Sequence, residues 1–270
     1  YDIAAMGRDS ADFWHLLVEA KKIAYEDRAR FYADMAFNDL PIDELISKSY
    51  AADRAELIDM SKAGRSIEPG NPGLGHGDTT FLVTADSSGM MVSLIQSNYT
   101  GFGSGYVVPS LGIGIQDRGA LFSLDPDSPN YLEPGKRPFH TIIPAFFGAG
   151  STPDMAFGVM GGDMQPQGHV QIVVNIVDDG MDLQEAGDAA RFHHTDSSEP
   201  TGTVMTDGGV LHLESGVSPE IRRELMRRGH RISEITPVVF GGYQAIRLNA
   251  ETGVYAGATE SRKDGMAAGY

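Results

Sequence analysis

A change of sequence pattern at residue 79 constrains the fold of this chain more than any other feature. Residues 61–78 hold five Gly and two Pro with little apolar content between them, which is typical of a loop. From Thr79 to Ala85 the residues alternate with a period of two, and this period predicts a β-strand. A turn at Asp86–Gly89 and a second alternating run at Met91–Ser97 follow, so we predict an antiparallel hairpin.

The junction between Asp78 and Thr79 has two interpretations. β-Branched residues commonly open a strand because they pack well on a pleated surface. Alternatively, the peptide bond is a buried cleavage point, at which the Thr79 hydroxyl attacks the Asp78 carbonyl and water then releases Thr79 as a new N-terminus. The freed amine would serve as the base for its own hydroxyl, as in the Thr–N-terminal-amine form of nucleophilic catalysis. The two residues alone leave both interpretations open.

The remaining patterns predict a chain of mixed helices and strands. Helices are predicted at about 9–34, 42–48, 50–61, 170–177, 182–191 and 218–229. Strands are predicted within 107–123 and at 141–147, 155–159, 242–248 and 253–258, and a further hairpin joins 204–206 to 210–213. Helices followed by blocks of strands with further helices indicate an α+β fold in which helices cover sheets.

The composition excludes several classes of partner. Lys and Arg total 21 against 37 Asp and Glu, so the net charge is −16. Such an acidic surface repels nucleic acid and anionic membranes, and it favours a protein that binds small molecules. The chain has no Cys, so it has no disulfide framework and no cysteine nucleophile or metal site. No apolar run approaches the roughly 18 residues of a membrane span.

Two glycine-rich stretches are candidates for loops beside a ligand. Gly161-Gly162 lies between a predicted strand and a predicted helix, where backbone N–H groups suit an oxyanion hole. A plain tight turn is the simpler explanation of the dipeptide taken alone. Gly101–Gly105 has no helix pattern after it and no Lys placed for a phosphate loop, so we interpret it as a loop that approaches a site closely.

The histidines do not indicate a metal site. His193 and His194 are adjacent, so their side chains point in different directions near a helix end, and no Cys or spaced carboxylate pair completes a ligand set. We interpret His140 and His169 in the same way. The sequence therefore predicts neither a metal nor a cofactor.

Six motifs in order resemble the γ-glutamyltransferase (γ-glutamyltranspeptidase) family of N-terminal nucleophile hydrolases, along nearly the whole chain. They are Glu19–Arg28, Thr79-Thr80, Gly135–Pro138, Gly161-Gly162, Ala190–His194 and Ala268–Tyr270. The resemblance implies a four-layer αββα fold and a precursor that cuts itself between Asp78 and Thr79. Residues 1–78 would be the C-terminal part of a large-subunit-like segment, and residues 79–270 the small-subunit-like catalytic segment.

The resemblance also implies roles for individual residues. Thr79 matches the family's nucleophile, with its free amine as the base. Ser97 takes the place of a threonine whose hydroxyl holds that amine, and the change keeps the hydroxyl. Gly161 and Gly162 match the pair whose N–H groups stabilise the oxyanion. An acyl-enzyme would divide the cleavage of a poorly electrophilic amide into two smaller barriers.

The family's substrate pocket is matched only in part. Its amide and acidic residues, which hold the substrate amino group, align with Arg118 and Leu121; a leucine cannot bind an ammonium, and an arginine repels one. Its serine pair for the substrate carboxylate aligns with His140-Thr141, which keeps only part of that hydrogen bonding, and its asparagine is shifted or replaced near Asn98 and Tyr99. We infer that the acyl-transfer machinery is kept and that the γ-glutamyl pocket is altered.

Three hypotheses for the function remain open. In the first hypothesis, the chain belongs to an enzyme that cleaves or transfers γ-glutamyl groups of glutathione-like amides. Alternatively, because Arg118 favours an acyl group with a terminal carboxylate and no α-amino group, it belongs to an acylase for glutaryl-like side chains, with the β-lactam acylases of the family as a precedent. The third hypothesis is a non-catalytic binding protein, which an intact Asp78–Thr79 bond in the mature protein would favour.

The start of the sequence bears on its partners and localisation. Tyr1 is not an initiating residue, so we expect the chain to begin inside a longer sequence, and its localisation stays open. The family's carboxylate-binding arginine would precede Tyr1. Without the large-subunit segment, faces of the core would be uncovered. We expect that segment, or a second copy of the chain in a homodimer, to cover them.

Overall fold

The computed structural model describes residues 1–65, 77–150, 153–233 and 240–270, with only the backbone described at Gly77 and Asp78. The chain folds into two compact units. The first comprises Tyr1–Gly75, Arg118–His140 and His194–Glu234, and the second His76–Asp117, Thr141–His193 and Ile235–Tyr270. Each unit draws on residues from both sides of Thr79. The division of the chain at Thr79 concerns cleavage and stays a prediction.

Helices and antiparallel sheets are both present, which is the predicted α+β class. The helices of the described residues are α1 (Ile3–Met6), α2 (Ala11–Phe31), α3 (Ile42–Leu45), α4 (Lys48–Ala55), α5 (Met164–Val177), α6 (Leu183–Asp188) and α7 (Pro219–Arg228), with a 3-10 turn at Arg118–Leu121. The strands are β1 (Gly77–Ala85), β2 (Met91–Thr100), β3 (Val107–Val108), β4 (Ile113–Gly114), β5 (Ala145–Phe147), β6 (Met155–Met160), β7 (Phe192–Thr195), β8 (Val210–Leu213), β9 (Ile232–Ser233), β10 (Gly242–Leu248) and β11 (Tyr255–Thr259). None of these helices combines the length and the apolar character that crossing a membrane requires.

Helix α2 is the main helix of the first unit. It begins after Ser10, whose Oγ accepts from Phe13 N at 3.2 Å, and it buries an apolar stripe. Several of its charged residues are buried. Glu19 and Lys22 are buried, with Lys22 Nζ 2.7 Å from Glu19 Oε1. Burial lowers the pKa of Lys22, and the Glu19 carboxylate opposes this shift.

The predicted hairpin is present in the second unit. β1 pairs antiparallel with β2, and Gly89 N donates to Asp86 O at 3.1 Å to close the predicted turn. Strand β1 begins at Gly77, two residues before the predicted start at Thr79. The bond between residues 78 and 79 therefore lies inside a strand.

The hairpin, a sheet and a helix form three layers in the second unit. The sheet has the order β11-β10-β6-β5 and is antiparallel throughout. The Phe81 ring of the hairpin lies on Gly158 so closely that a Cβ there would be 2.5 Å from the ring. A Cβ on Gly168 of α5 would lie 2.6 Å from Val159. Because neighbouring residues of a strand face opposite sides, the hairpin and α5 cover opposite faces of the sheet.

The hydrophobic core of the second unit lies between the sheet and the helices. Its buried members come from β6, β10, β11 and α5, and they are Met155, Phe157, Val159, Ile172, Tyr243, Ala245 and Ala258. Helix α6 packs closely against this core, so that a Cβ on Gly187 would lie 2.5 Å from the Tyr243 ring. This packing fixes β6, whose C-terminal end leads into the candidate site.

The predicted hairpin of 204–206 with 210–213 is wrong. Strand β8 pairs in parallel with β9, in a sheet of order β7-β8-β9. Helix α7 separates β8 from β9 along the chain, and a helical crossover returns a strand in the same direction. The Asp207-Gly208 signal was local and could not report this long-range pairing.

Other predicted elements differ mainly in extent. The predicted strands of 107–123 reduce to β3 and β4, and the strand of 141–147 to β5, because Pro144 has no N–H to donate. The helix predicted at 170–177 begins at Met164, whereas the helices predicted to reach 61 and 191 end at Ala55 and Asp188. Residues 66–76 of the predicted loop lie outside the described residues.

Candidate active site

The Thr79 hydroxyl is held in a defined hydrogen-bond pair. Thr79 Oγ1 donates to Ser97 Oγ at 3.1 Å, and Ser97 Oγ also accepts from Tyr99 N at 2.9 Å. Thr79 is buried, and it is the register partner of Ser97 across the hairpin. The contact therefore follows from strand pairing, which brings directly opposite side chains together.

The backbone beside this pair is irregular. Asp78 pairs with Tyr99 and Thr79 with Ser97, so Asn98 is an extra residue of β2 opposite the Asp78–Thr79 bond. Tyr99 has a φ of 78°, in the left-handed region that costs a non-glycine residue about 1–3 kcal/mol. Bulges and strained residues of this kind are concentrated at functional sites, where they re-aim side chains.

The Gly161-Gly162 turn joins β6 to α5. The two residues have φ of 130° and 59°, which favour glycine. Met164 N and Gln165 N donate to the carbonyl oxygens of Gly161 and Gly162, both at 3.1 Å. Since the C=O and N–H of a trans peptide point in opposite directions, the Gly162 N–H points away from the first turn of α5. This orientation is compatible both with an oxyanion hole and with a plain tight turn.

Ser93 of β2 connects the hairpin to strands β5 and β6 of the sheet through hydrogen bonds. Ala145 N donates to Ser93 Oγ at 3.1 Å, and Ser93 Oγ donates to Phe157 O at 3.5 Å. Ala145 and Phe157 are themselves register partners of β5 and β6. The three strands β2, β5 and β6 are therefore level with one another at these residues.

The predicted site residues of this unit lie toward one end of the two sheets. Ser97 lies four residues after Ser93 on β2. Thr141 lies four residues before Ala145 of β5, and Gly161 lies four residues after Phe157 of β6. Because β5 and β6 run antiparallel, Thr141 and Gly161 lie toward the same end. On β1, Phe81 is the next residue after Thr79 that faces the sheet. Its ring lies on Gly158, which is one residue closer to Gly161 than Phe157 is. The hairpin therefore carries Thr79 and Ser97 toward that end as well.

Two buried side chains at this end have a polar atom for which the described residues offer no partner. They are Thr141 Oγ1 and Gln165 Nε2. Gln165 lies in the first turn of α5, and its Oε1 accepts from Ile143 N at 3.3 Å. A buried polar group left without a hydrogen bond costs about 1–3 kcal/mol, so such groups mark places where a ligand or water binds. Sequence reasoning missed Gln165, because the apolar pattern of α5 begins only at residue 170.

The other sequence-predicted residues are spread over both units. Asn98 is exposed in the second unit, and as the bulge residue it lies on β2 between Ser97 and Tyr99. Arg118 is buried in the 3-10 turn of the first unit, and His140 is exposed in that unit. Their predicted roles toward a substrate stay predictions.

Among the residues that the structure describes, one group has ligand atoms that converge as metal ligands would: His15, Glu19 and His230, all in the first unit. His15 Nδ1 and His230 Nε2 are 2.8 Å apart, which is a hydrogen bond, and His15 Nε2 contacts Asp59 O at 2.9 Å. The Lys22 ammonium lies 2.7 Å from Glu19 Oε1. In this structure the ligand atoms of the group are engaged in hydrogen bonds, those of His15 and His230 with each other and that of Glu19 with Lys22.

This histidine pair predicts that the protein loses stability in mild acid. Burial lowers the pKa of His230 to about 3 and also lowers that of His15. Below the unfolded-chain pKa of about 6.5, the unfolded state binds a proton that the folded His230 refuses. The free energy of unfolding should therefore fall by about 1.4 kcal/mol per pH unit for His230 alone as the pH falls from about 6.5 toward 3. Urea unfolding at pH 7 and pH 5 measures this slope, and a His230→Gln variant with an unchanged slope would contradict the assignment.

The Ser97 contact predicts a difference between two substitutions. Ser97→Ala removes the partner of Thr79 Oγ1 and the acceptor of Tyr99 N. We expect cleavage at Asp78–Thr79 to slow by about 10- to 100-fold, since a lost hydrogen bond costs about 1–3 kcal/mol. Ser97→Thr keeps the hydroxyl and should cut at close to the wild-type rate. The measurement is a time course of fragment formation on gels, and equal rates for Ser97→Ala and wild type would remove Ser97 from this role.

Comparison with known proteins gives a consistent family. All 270 residues match the family described as Gamma-glutamyltranspeptidase. The chain is 34% identical over 273 residues to the glutathione hydrolase-like YwrD proenzyme of Bacillus subtilis, a match that covers 100% of this chain and 49% of the relative. It is 35% identical over 263 residues to the oxamate amidohydrolase proenzyme of Klebsiella pneumoniae, which covers 97% of this chain and 48% of the relative.

A solved structure is similar over the same extent. The crystal structure of cephalosporin acylase from Bacillus halodurans superposes with a TM-score of 0.86 at 40% sequence identity, covering 100% of this chain and 48% of that chain. The chain thus spans about half the length of the curated relatives it matches. Both of those curated relatives are described as proenzymes.

Proposed function

Because this chain belongs to the gamma-glutamyltranspeptidase family, we propose that it carries the nucleophile of a self-processing amidohydrolase. The observation that carries the proposal is the Thr79 hydroxyl, held 3.1 Å from Ser97 Oγ beside a strained bulge and next to the Asp78–Thr79 bond. The proenzyme names of the two curated relatives support it. The alternative, in which Thr79 only begins a strand, explains the position less well, because β1 already begins at Gly77.

The proposed self-cleavage is an acyl shift followed by hydrolysis. Thr79 Oγ1 attacks the carbonyl carbon of Asp78, the peptide nitrogen leaves with the hydroxyl proton, and an ester joins residue 78 to Thr79 Oγ1. Water then hydrolyses the ester, which leaves a carboxylate on residue 78 and restores the Thr79 hydroxyl beside the amine that the first step freed. The Ser97 contact orients the hydroxyl for this attack.

The proposed turnover uses the same hydroxyl. The freed Thr79 amine takes the proton of Oγ1 as this oxygen attacks the substrate amide, and the amine then passes the proton to the leaving group. The N–H groups of Gly161 and Gly162 would stabilise the oxyanion. The Gly162 N–H points away from α5, and this direction supports the role. Water finally hydrolyses the acyl-enzyme and restores Thr79.

We propose that the acyl group carries a carboxylate and no α-amino group. The positions at which the family holds an ammonium align with Arg118 and Leu121, neither of which binds one. Oxamate, the substrate named for one relative, is an amide with a carboxylate and no amino group. A γ-glutamyl donor is the second candidate, since another relative is named as glutathione hydrolase-like.

Two anilides that differ only in the α-amino group test this choice. With the full-length protein, we expect glutaryl p-nitroanilide to be hydrolysed with a kcat/KM at least about 10-fold above that of γ-glutamyl p-nitroanilide, a difference of about 1.4 kcal/mol. Release of p-nitroaniline measures both rates. Faster turnover of the γ-glutamyl compound would instead establish the second candidate. An uncut protein that turns over neither compound would support a non-catalytic binding role.

We propose further that the chain contributes to a four-layer αββα fold. The hairpin, sheet and helices of the second unit are compatible with three of the layers. The outer face of the hairpin exposes Leu82, Val92 and Leu94, and Leu82 pairs directly with Leu94. Exposed apolar strips of this kind are commonly interaction sites. We propose that the large-subunit-like segment covers this face, with a second copy in a homodimer as the alternative.

A further inference from the structure

We propose that Gln165 is a specificity-determining residue, which together with Thr141 forms a receptor for an oxygen-bearing group of the acyl donor. The family resemblance already matches Thr141 to carboxylate binding, and the role of Gln165 is the new part. This inference rests on the proposed amidohydrolase function and names the part of the substrate that the second unit recognises. Neither side chain takes part in the bond-breaking chemistry described above. The inference stands on burial, on hydrogen bonding and on the position of both residues in the fold.

The Gln165 carboxamide is fixed in orientation. Its Oε1 accepts from Ile143 N at 3.3 Å, and its own backbone N donates to Gly162 O at 3.1 Å. The side chain is completely buried. The amide is thus held between the first turn of α5 and the segment that leads into β5, with its NH₂ group directed away from Ile143.

Thr141 lies in that same segment, two residues before Ile143. Its side chain is 4% exposed, and none of the described residues bonds to its Oγ1. The same is true of Gln165 Nε2. Buried donors in native proteins are nearly always bonded. One unpartnered donor in this segment and another on the helix that contacts it therefore indicate a group that the described residues do not supply.

The chemistry of the two atoms selects the kind of group. A glutamine NH₂ only donates, and a threonine hydroxyl donates or accepts. Together they suit a carboxylate or carbonyl oxygen, and the glutamine NH₂ has no lone pair to offer an ammonium. Gln165 follows the Gly161-Gly162 turn within one helical turn, so the receptor adjoins the proposed oxyanion position. A donor whose acyl group carries a carboxylate fits both features.

Glutamine 167 provides a matched control on the same helix. It is as buried as Gln165, but its Nε2 donates to Asp163 O at 3.0 Å inside α5. Replacing either glutamine with methionine keeps the side-chain length and removes the donor. Thr141→Val is a second, nearly isosteric variant, and it leaves no described hydrogen bond of the side chain broken.

The test compares these variants in the full-length protein on glutaryl p-nitroanilide and on pentanoyl p-nitroanilide, which has a methyl group in place of the terminal carboxylate. We expect Gln165→Met and Thr141→Val to raise KM for the glutaryl compound by about 10- to 100-fold, with kcat changed less than about twofold. Pentanoyl kinetics, and both substrates with Gln167→Met, should be unchanged. Equal losses on both substrates, or the same loss with Gln167→Met, would overturn the receptor.

Binding of free glutarate separates this inference from the proposed function. By equilibrium dialysis, wild type should bind glutarate and Gln165→Met should bind it at least about 10-fold more weakly. If wild type turns over neither anilide yet shows this difference, the amidohydrolase proposal fails and the receptor stands. If wild type hydrolyses the glutaryl compound and Gln165→Met has unchanged KM and unchanged glutarate binding, the receptor alone is wrong.

Discussion

Replacing Thr79 with Ala should leave the chain uncut between Asp78 and Thr79 and should lower amide turnover by about 10⁴-fold or more. The variant has no hydroxyl to attack the Asp78 carbonyl, and without cleavage it has no free amine to act as a base. Mass spectrometry measures the cleavage, and release of p-nitroaniline measures the turnover. Thr79→Ser, which keeps a hydroxyl, should still cut itself and retain activity.

The Thr79 result must reflect chemistry and not unfolding. Thr79 donates one hydrogen bond, to Ser97, and Ser97 retains Tyr99 N as a partner when that bond is lost. We therefore expect the circular dichroism spectrum of Thr79→Ala to stay close to that of wild type. A Thr79→Ala protein that still appears as two fragments, or that hydrolyses anilides near the wild-type rate, would refute the role of Thr79.

The largest effect on stability should come from the buried ion pair of Arg191 and Glu260. Arg191 Nη1 lies 2.8 Å from Glu260 Oε2, both side chains are fully buried, and the guanidinium also donates to Phe240 O and Gly187 O. Burial raises the pKa of Glu260, but the charge of Arg191 and the hydrogen bond from Arg262 outweigh burial and lower it overall. Arg191→Met would leave a buried carboxylate without its main partner and should cost about 3–5 kcal/mol.

Urea unfolding at pH 7 measures this loss of stability, and two further variants serve as comparisons. Arg223→Met breaks an exposed pair with Glu220 and should cost less than about 1 kcal/mol. The double variant Arg191→Met with Glu260→Leu removes both charges and should recover part of the loss. A loss below about 1 kcal/mol for Arg191→Met alone would show that the pair does not hold α6, β10 and β11 together as described.

Local patterns predicted the elements that carry the site. The alternation from Thr79 and the Asp86–Gly89 turn are short-range features, so they predicted the hairpin. Ser97 was identified through the family resemblance, and the structure places it opposite Thr79. The Gly161-Gly162 turn was also predictable, because a glycine pair between a strand and a helix is a local signal. The same holds for α7, with Ser218 at its start and Gly229 at its end.

Features that depend on distant contacts were not predictable from these patterns. Strand β8 pairs in parallel because α7 intervenes, and the Asp207-Gly208 signal points to a hairpin instead. The buried pairing of His15 with His230 joins residues 215 positions apart, and α2 gives no sign of it. Gln165 is a polar residue in the first turn of a helix whose apolar pattern starts later, so only the structure reveals that it is buried.

The most direct test of the account is the intact mass and N-terminal sequence of the freshly purified full-length protein. Cleavage before Thr79 is the step on which the free amine, the acyl-enzyme and the substrate assays all depend. The account predicts a fragment that begins Thr79-Thr80-Phe81-Leu82. A single chain that stays uncut for days at neutral pH would contradict it.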